Sequence, residues 1–163
     1  MTGTSTAPML FSPQVNVTRA MAVSVLYNME GRPDVSGYPN PFTDLHAGSW
    51  YYDAVMWAAA NGIVGGFEDG TFRPGDNITR AHLAIILNNY AEIKGFALPV
   101  LTEYHGFADD ADIRDYAREA VERFFRAGII NGKPGNVFDP RGEATRAELA
   151  AMLTRFLGAV GQE

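Results

Sequence analysis

Apolar residues recur at helical spacing in two kinds of segment. The first kind is amphipathic: Trp50, Ala54, Trp57 and Ala58 form one stripe, and Ile113, Tyr116, Ala117, Ala120, Val121 and Phe124 another. Each predicts a helix resting one face on a core, with Ser49 and Asp112 as the N-caps and Trp50 packed inside. The second kind is apolar on most faces. Met21, Val23, Val25 and Leu26 mark one such helix, Leu83, Ile85, Ile86, Leu87 and Tyr90 a second, and Leu149, Met152, Leu153, Phe156 and Leu157 a third. From Ala81 to Ala91, His82 is the only side chain that can carry charge near neutral pH. Helices of this kind are normally buried, so three of them predict a central bundle with the amphipathic helices outside it. Gly62 and Gly128 fall where a left-handed C-terminal glycine belongs, and Gly31, Gly95 and Gly158 lie near the ends of the bundle helices. The glycine-rich stretches 65–76 and 131–143 are predicted to be irregular.

The pattern repeats. Thr-Arg-Ala occurs at 18–20, 79–81 and 145–147, each time opening a bundle helix. Each copy lies seven residues after a phenylalanine (Phe11, Phe72, Phe138) and five after a proline (Pro13, Pro74, Pro140). From Trp50 and Tyr116 onward, two copies align at a constant offset of 66 residues. The expected organisation is one domain over 1–163: a partial first repeat at 1–31, a second at 40–95 and a third at 105–158. Thr2-Gly3 and Phe11-Ser12-Pro13 fit the glycine loop of the first repeat, but nothing upstream supplies its first helix, so that repeat is read as truncated.

Composition narrows the function classes. The 47% hydrophobic content supports a packed core, and the net charge of −6 argues against a general nucleic-acid binder. There are no cysteines, hence no disulfides or thiolate metal sites. No apolar run approaches a membrane span, so no membrane insertion is expected, and Met1–Pro8 lacks the features of a signal peptide.

The triplet carries the candidate chemistry. Threonine is a good N-cap, and Thr145 with Glu148 makes a full capping box; Met21 and His82 take the corresponding place in the other copies. Arginine is unexpected, because a cation at the first helical position opposes the helix dipole by about 0.3–1 kcal/mol. Two partners could justify Arg19, Arg80 and Arg146. One is an internal carboxylate such as Asp44 or Asp109. The other is an anionic ligand, bound jointly by guanidinium and helix N-terminal amides.

The surrounding motifs resemble the S-layer homology (SLH) family. They are Phe42-x-Asp44 and Phe107-x-Asp109, Trp50-Tyr-x-x-Ala-Val55, Asn61-Gly-Ile-Val-x-Gly66, Asp69-Gly-Thr-Phe-x-Pro74, Ile78-Thr-Arg-Ala81, and Thr145-Arg-Ala-Glu148. The resemblance implies an all-α, pseudo-threefold domain with a central three-helix bundle, peripheral helices and Gly-rich loops. It implies a non-catalytic anchor at the bacterial cell wall or S-layer, extracellular, needing no cofactor. The implied partner is a cell-wall polysaccharide carrying anionic pyruvate ketals, bound in grooves between repeats. Arg19, Arg80 and Arg146 would meet the acid, with Gly66, Asp69 and Gly132 lining the grooves. Asp44, Asp109 and Trp50 complete the expected ligand-binding set. The departures at Met21, His82, Tyr116 and 132–136 imply unequal grooves.

A protein–protein assembly module of a surface-layer or extracellular complex is the alternative, with self-association through the truncated first repeat. Catalysis is not expected: no nucleophile elbow, P-loop or dinucleotide fingerprint occurs, and Asp109-Asp110 reads as turn and cap residues. His46, His82 and His105 lack metal-ligand spacing, and Phe67–Thr71 lacks the calcium-loop pattern. Arg114, Arg118, Arg123 and Arg126 alternate with acids and read as a solvated face.

Overall fold

The structure, a computed structural model, describes residues 12–161. Thr2, Gly3 and Phe11, assigned above to the first glycine loop, lie outside the described residues. In chain order the helices are α1 (Arg19–Met29), α2 (Tyr52–Ala60), α3 (Arg80–Lys94), α4 (Asp115–Arg126) and α5 (Arg146–Ala159), with a 3-10 turn at Asp110–Asp112. The described residues contain only isolated bridges and no strand, so the all-α expectation holds. None of the described helices is long and apolar enough to cross a membrane.

The threefold character is visible in one closed ring of backbone bonds. Val17 N–H donates to Ala144 O (2.8 Å), Ala144 N–H to Ile78 O (2.9 Å), and Ile78 N–H to Val17 O (2.8 Å). Each of these buried residues stands immediately before the Thr of a triplet. The three bundle helices α1, α3 and α5 therefore start from a common point. Further along, Phe156 of α5 packs against Tyr90 of α3 and Phe124 of α4, with ring centroids 6.0 Å apart in both pairs.

The closest helix pairings are α1 with α2 and α3 with α4. The peripheral helix of one repeat thus packs on the bundle helix of the preceding repeat. Tyr27 against Trp57 seals the first pairing. In the second, Arg123 donates to Asn88 Oδ1 and to Glu92, both at 2.7 Å. Arg118 similarly ties α4 back to Asp110 and to the carbonyl of Ile113. These arginines hold elements together and do not simply coat a solvated face.

Several local expectations are corrected. Helix α2 starts at Tyr52, so Ser49 is not its cap, and Trp50 precedes the helix with 66% of its surface exposed. Its place in the core is taken by Ala54, Val55 and Trp57, which the true helical phase turns inward. Helix α4 starts after Arg114 without a side-chain cap, and Asp112 instead pairs with Arg141 at 3.0 Å. Gly158 does lie near the end of α5, one residue before Ala159, and the left-handed turn follows at Gly161 (φ 74). Gly62 and Gly128 are left-handed as expected (φ 72 and 76).

Candidate binding clefts between repeats

The start of each bundle helix is built by two repeats. The first two amides of α1 donate to Asp76 O (2.9 Å) and Pro74 O (3.1 Å), in the loop of the next repeat. Those of α3 donate to Gly142 O (2.9 Å) and Pro140 O (3.1 Å), and those of α5 to Val15 O (2.9 Å) and Pro13 O (3.0 Å). The third amide of each helix donates to the hydroxyl of Thr18, Thr79 or Thr145. One of the two alternatives drawn from the sequence gave these amides to an anionic ligand; the neighbouring loop already occupies them. An anion at the arginines therefore cannot also be held by these amides.

The arginines are buried: Arg19 is 7%, Arg80 8% and Arg146 2% exposed. Arg19 Nε donates to Phe72 O at 2.9 Å, and its guanidinium lies 4.7 Å from the Phe72 ring centroid and 4.8 Å from that of Phe67. Arg80 repeats the arrangement with Phe138 O at 2.7 Å. A charge-assisted bond of this type contributes about 1.5–3 kcal/mol, which outweighs the dipole penalty at the first helical position.

Asp44 and Asp109 serve the same peptides from the other side. Asp44 accepts from the amides of Phe72 and Arg73, each at 2.8 Å. Asp109 accepts from Phe138 (2.9 Å) and Asp139 (2.8 Å). Neither carboxylate pairs directly with a triplet arginine; both brace the loop the arginine grips. The bracing has a clear purpose. Arg73 and Asp139 take left-handed conformations (φ 59 and 60), a strain of roughly 1–2 kcal/mol each. Full burial of Phe72 and Phe138, worth roughly 1.5–3 kcal/mol each, offsets it.

Gly66 and Gly132 are required by close approach. A Cβ on Gly66 would lie 2.5 Å from the Phe42 ring and 2.8 Å from Thr71 O. On Gly132 it would lie 2.8 Å from the Phe107 ring. Asp69 turns into its own loop, accepting from Thr71 N (3.0 Å) and pairing with Arg73 (3.3 Å). Hydrogen bonds from Thr71, first its hydroxyl and then its amide, hold the Asp69 carboxyl below its ordinary pKa.

Two clefts open beside these arginines. One, of about 540 Å³, is lined by Arg19, Gly66, Phe67, His82, Asn89 and Tyr116 among others. The other, of about 560 Å³, includes Arg146, Met21, Trp50, Ala54 and Leu149. Of the expected ligand residues, the structure thus joins Arg19 with Gly66 and Arg146 with Trp50, while Asp44, Asp69 and Asp109 line neither cleft. Burial lowers the pKa of the Arg19 guanidinium, with Asp76 opposing, yet an arginine remains charged. Burial and then the charge of Arg19 push the His82 imidazole below its ordinary value.

Arg80 differs. Its Nη1 donates to the carboxylate of Glu148. Thr145 and Glu148 therefore form only half a capping box: the threonine caps the Glu148 amide, but the carboxylate turns to Arg80. Sequence reasoning missed this contact, although it marked His82 and Tyr116 as departures that make the grooves unequal. The signals were present, since Tyr116 aligns with Trp50 and His82 with Glu148 at the 66-residue offset.

Comparison with known proteins decides the family. A model described as the S-layer homology domain matches residues 41–84 and 106–150. The chain belongs to the S-layer homology family. Similar proteins include an amylopullulanase of Thermoanaerobacterium thermosulfurigenes, 36% identical across 88% of this chain and 8% of the relative. Exoglucanase XynX of Acetivibrio thermocellus is 36% identical across 88% of this chain and 13% of the relative. A cellulosome-anchoring protein of the same species is 30% identical across 91% of this chain and 33% of the relative. The SLH chain thus spans a third or less of each. Enzymes and an anchoring protein share it, which separates the SLH region from any one activity.

Proposed function

We propose that this chain is a non-catalytic module that anchors a larger protein outside the bacterial cell, on wall polysaccharide bearing pyruvate ketals. The polymer lies in the clefts between repeats, and its carboxylates meet the Thr-Arg-Ala arginines. The observation that carries the reading is the cleft at Arg19. A buried guanidinium edges a space of about 540 Å³, within the usual range for small-molecule sites, beside backbone of Gly65–Phe67 and the ring of Tyr116. Guanidinium supplies the charge and directional donors for a carboxylate, and an aromatic face suits a sugar ring. Similarity to a cellulosome-anchoring protein and to an amylopullulanase, within the S-layer homology family, agrees with it.

Sedimentation of the chain with purified wall polymer tests this. Binding should fall at least tenfold when the ketal pyruvate is removed by mild acid, and should weaken with added salt. Equal binding to the depyruvylated polymer would reject the anionic reading.

A further inference from the structure

Asparagine followed by glycine is a pair prone to modify itself, because a residue without a Cβ lets its amide nitrogen reach the preceding side chain. The chain holds two such pairs, Asn61-Gly62 and Asn131-Gly132. The fold treats them differently.

Asn61 closes α2 as its C-cap. Its Nδ2 donates to Trp57 O at 2.8 Å, and the Gly62 amide donates to Ala59 O at 3.2 Å. Both reacting groups are therefore engaged at the helix end. Asn131 is exposed and opens the third-repeat glycine loop. Its neighbours are anchored, Ile130 N–H on Phe124 O and Lys133 N–H on Val137 O. Among the described residues, however, neither the Asn131 side chain nor the Gly132 amide makes a hydrogen bond.

Independently of the anchoring reading, we propose that Asn131 is a self-modification site that converts to aspartate and isoaspartate without an enzyme. The Gly132 nitrogen, its proton taken by hydroxide, attacks Cγ of Asn131. The new C–N bond closes a succinimide ring, and the side-chain nitrogen leaves as ammonia. Water then opens the ring at either carbonyl, so one water is consumed for each ammonia released. One opening gives aspartate; the other routes the backbone through the side chain as isoaspartate.

The place of Asn131 gives the change a consequence. Asn131-Gly132 aligns with Gly65-Gly66 at the 66-residue offset, so only the third-repeat loop can gain a carboxylate there. Lys133, which pairs with Asp139 at 2.8 Å, then has a second acid two residues away. Isoaspartate also adds a backbone carbon directly before Gly132, where even a Cβ would lie 2.8 Å from the Phe107 ring. The loop that Arg80 grips at Phe138 O is thereby loosened with age.

The folded chain would be incubated in mildly alkaline buffer made with heavy-oxygen water, and peptide mapping would follow both pairs. Asn131 should take up heavy oxygen at least tenfold faster than Asn61, and the melting temperature should fall as isoaspartate accumulates. In urea the two pairs should react alike. Asn131→Gln, whose longer side chain closes the ring slowly, should start at the parent melting temperature and show no drift. Equal rates at the two pairs in the folded chain, an Asn131 that stays unmodified, or a difference that persists in urea would overturn the proposal.

Discussion

Arg80 and Glu148 stand 68 residues apart in sequence, yet their side chains form an ion pair across the boundary between the second and third repeats. The arginine side chain is 10% exposed and the glutamate side chain 26%. Partial burial reduces solvent screening, so this pair should matter more than a surface one. A double-mutant cycle with Arg80→Met and Glu148→Gln should give a coupling energy of about 1–3 kcal/mol in urea unfolding. Additivity to within about 0.3 kcal/mol would contradict the pairing.

Adjacent glycines should respond differently to one added methyl. Gly66→Ala forces a Cβ against Phe42 and the Thr71 carbonyl, whereas a Cβ on Gly65 meets nothing within 4 Å. Overpacking of this kind costs about 1–3 kcal/mol, so Gly66→Ala should lower the urea midpoint clearly. Gly65→Ala should change stability by less than about 0.5 kcal/mol. Equal losses would mean that the glycine loop does not pack on Phe42 as described.

His82 predicts a pH dependence with a definite sign. Its folded pKa lies below the ordinary 6.5, through burial first and then the charge of Arg19 on α1. Glu68 of the loop and Tyr116 of α4 also line its cleft. The unfolded chain therefore takes up the proton first, and stability is lost as pH falls from above 6.5 through the lower folded value. Thermal melts between pH 7.5 and about 5 should show a steeper loss for the parent than for His82→Gln. Parallel curves would remove His82 from the cleft's electrostatics.

Much of the fold was legible because the repeat doubled each signal. The apolar runs after Thr79 and Thr145 could only be buried helices, and both are. Trp50 was misread because helical periodicity was extended two residues past the real start of α2 at Tyr52. Periodicity reveals a stripe, but not where the backbone leaves the helix. The site was legible as a list of residue types and not as contacts. Asp44 and Arg19 were both singled out, yet they meet opposite sides of the Phe72 residue, its amide and its carbonyl, and not each other. The helix amides looked available because pairing with a loop in another repeat leaves no local mark in sequence. Glu148 has a standard local role as a cap, which concealed its long-range partner.

A crystal of the chain soaked with a pyruvate-ketal N-acetylhexosamine tests the central claim most directly. The account predicts the ligand carboxylate within hydrogen-bond distance of Arg19 Nη1, with the sugar between Gly65–Phe67 and Tyr116, and Glu148 still on Arg80. A ligand bound away from every triplet arginine would contradict it.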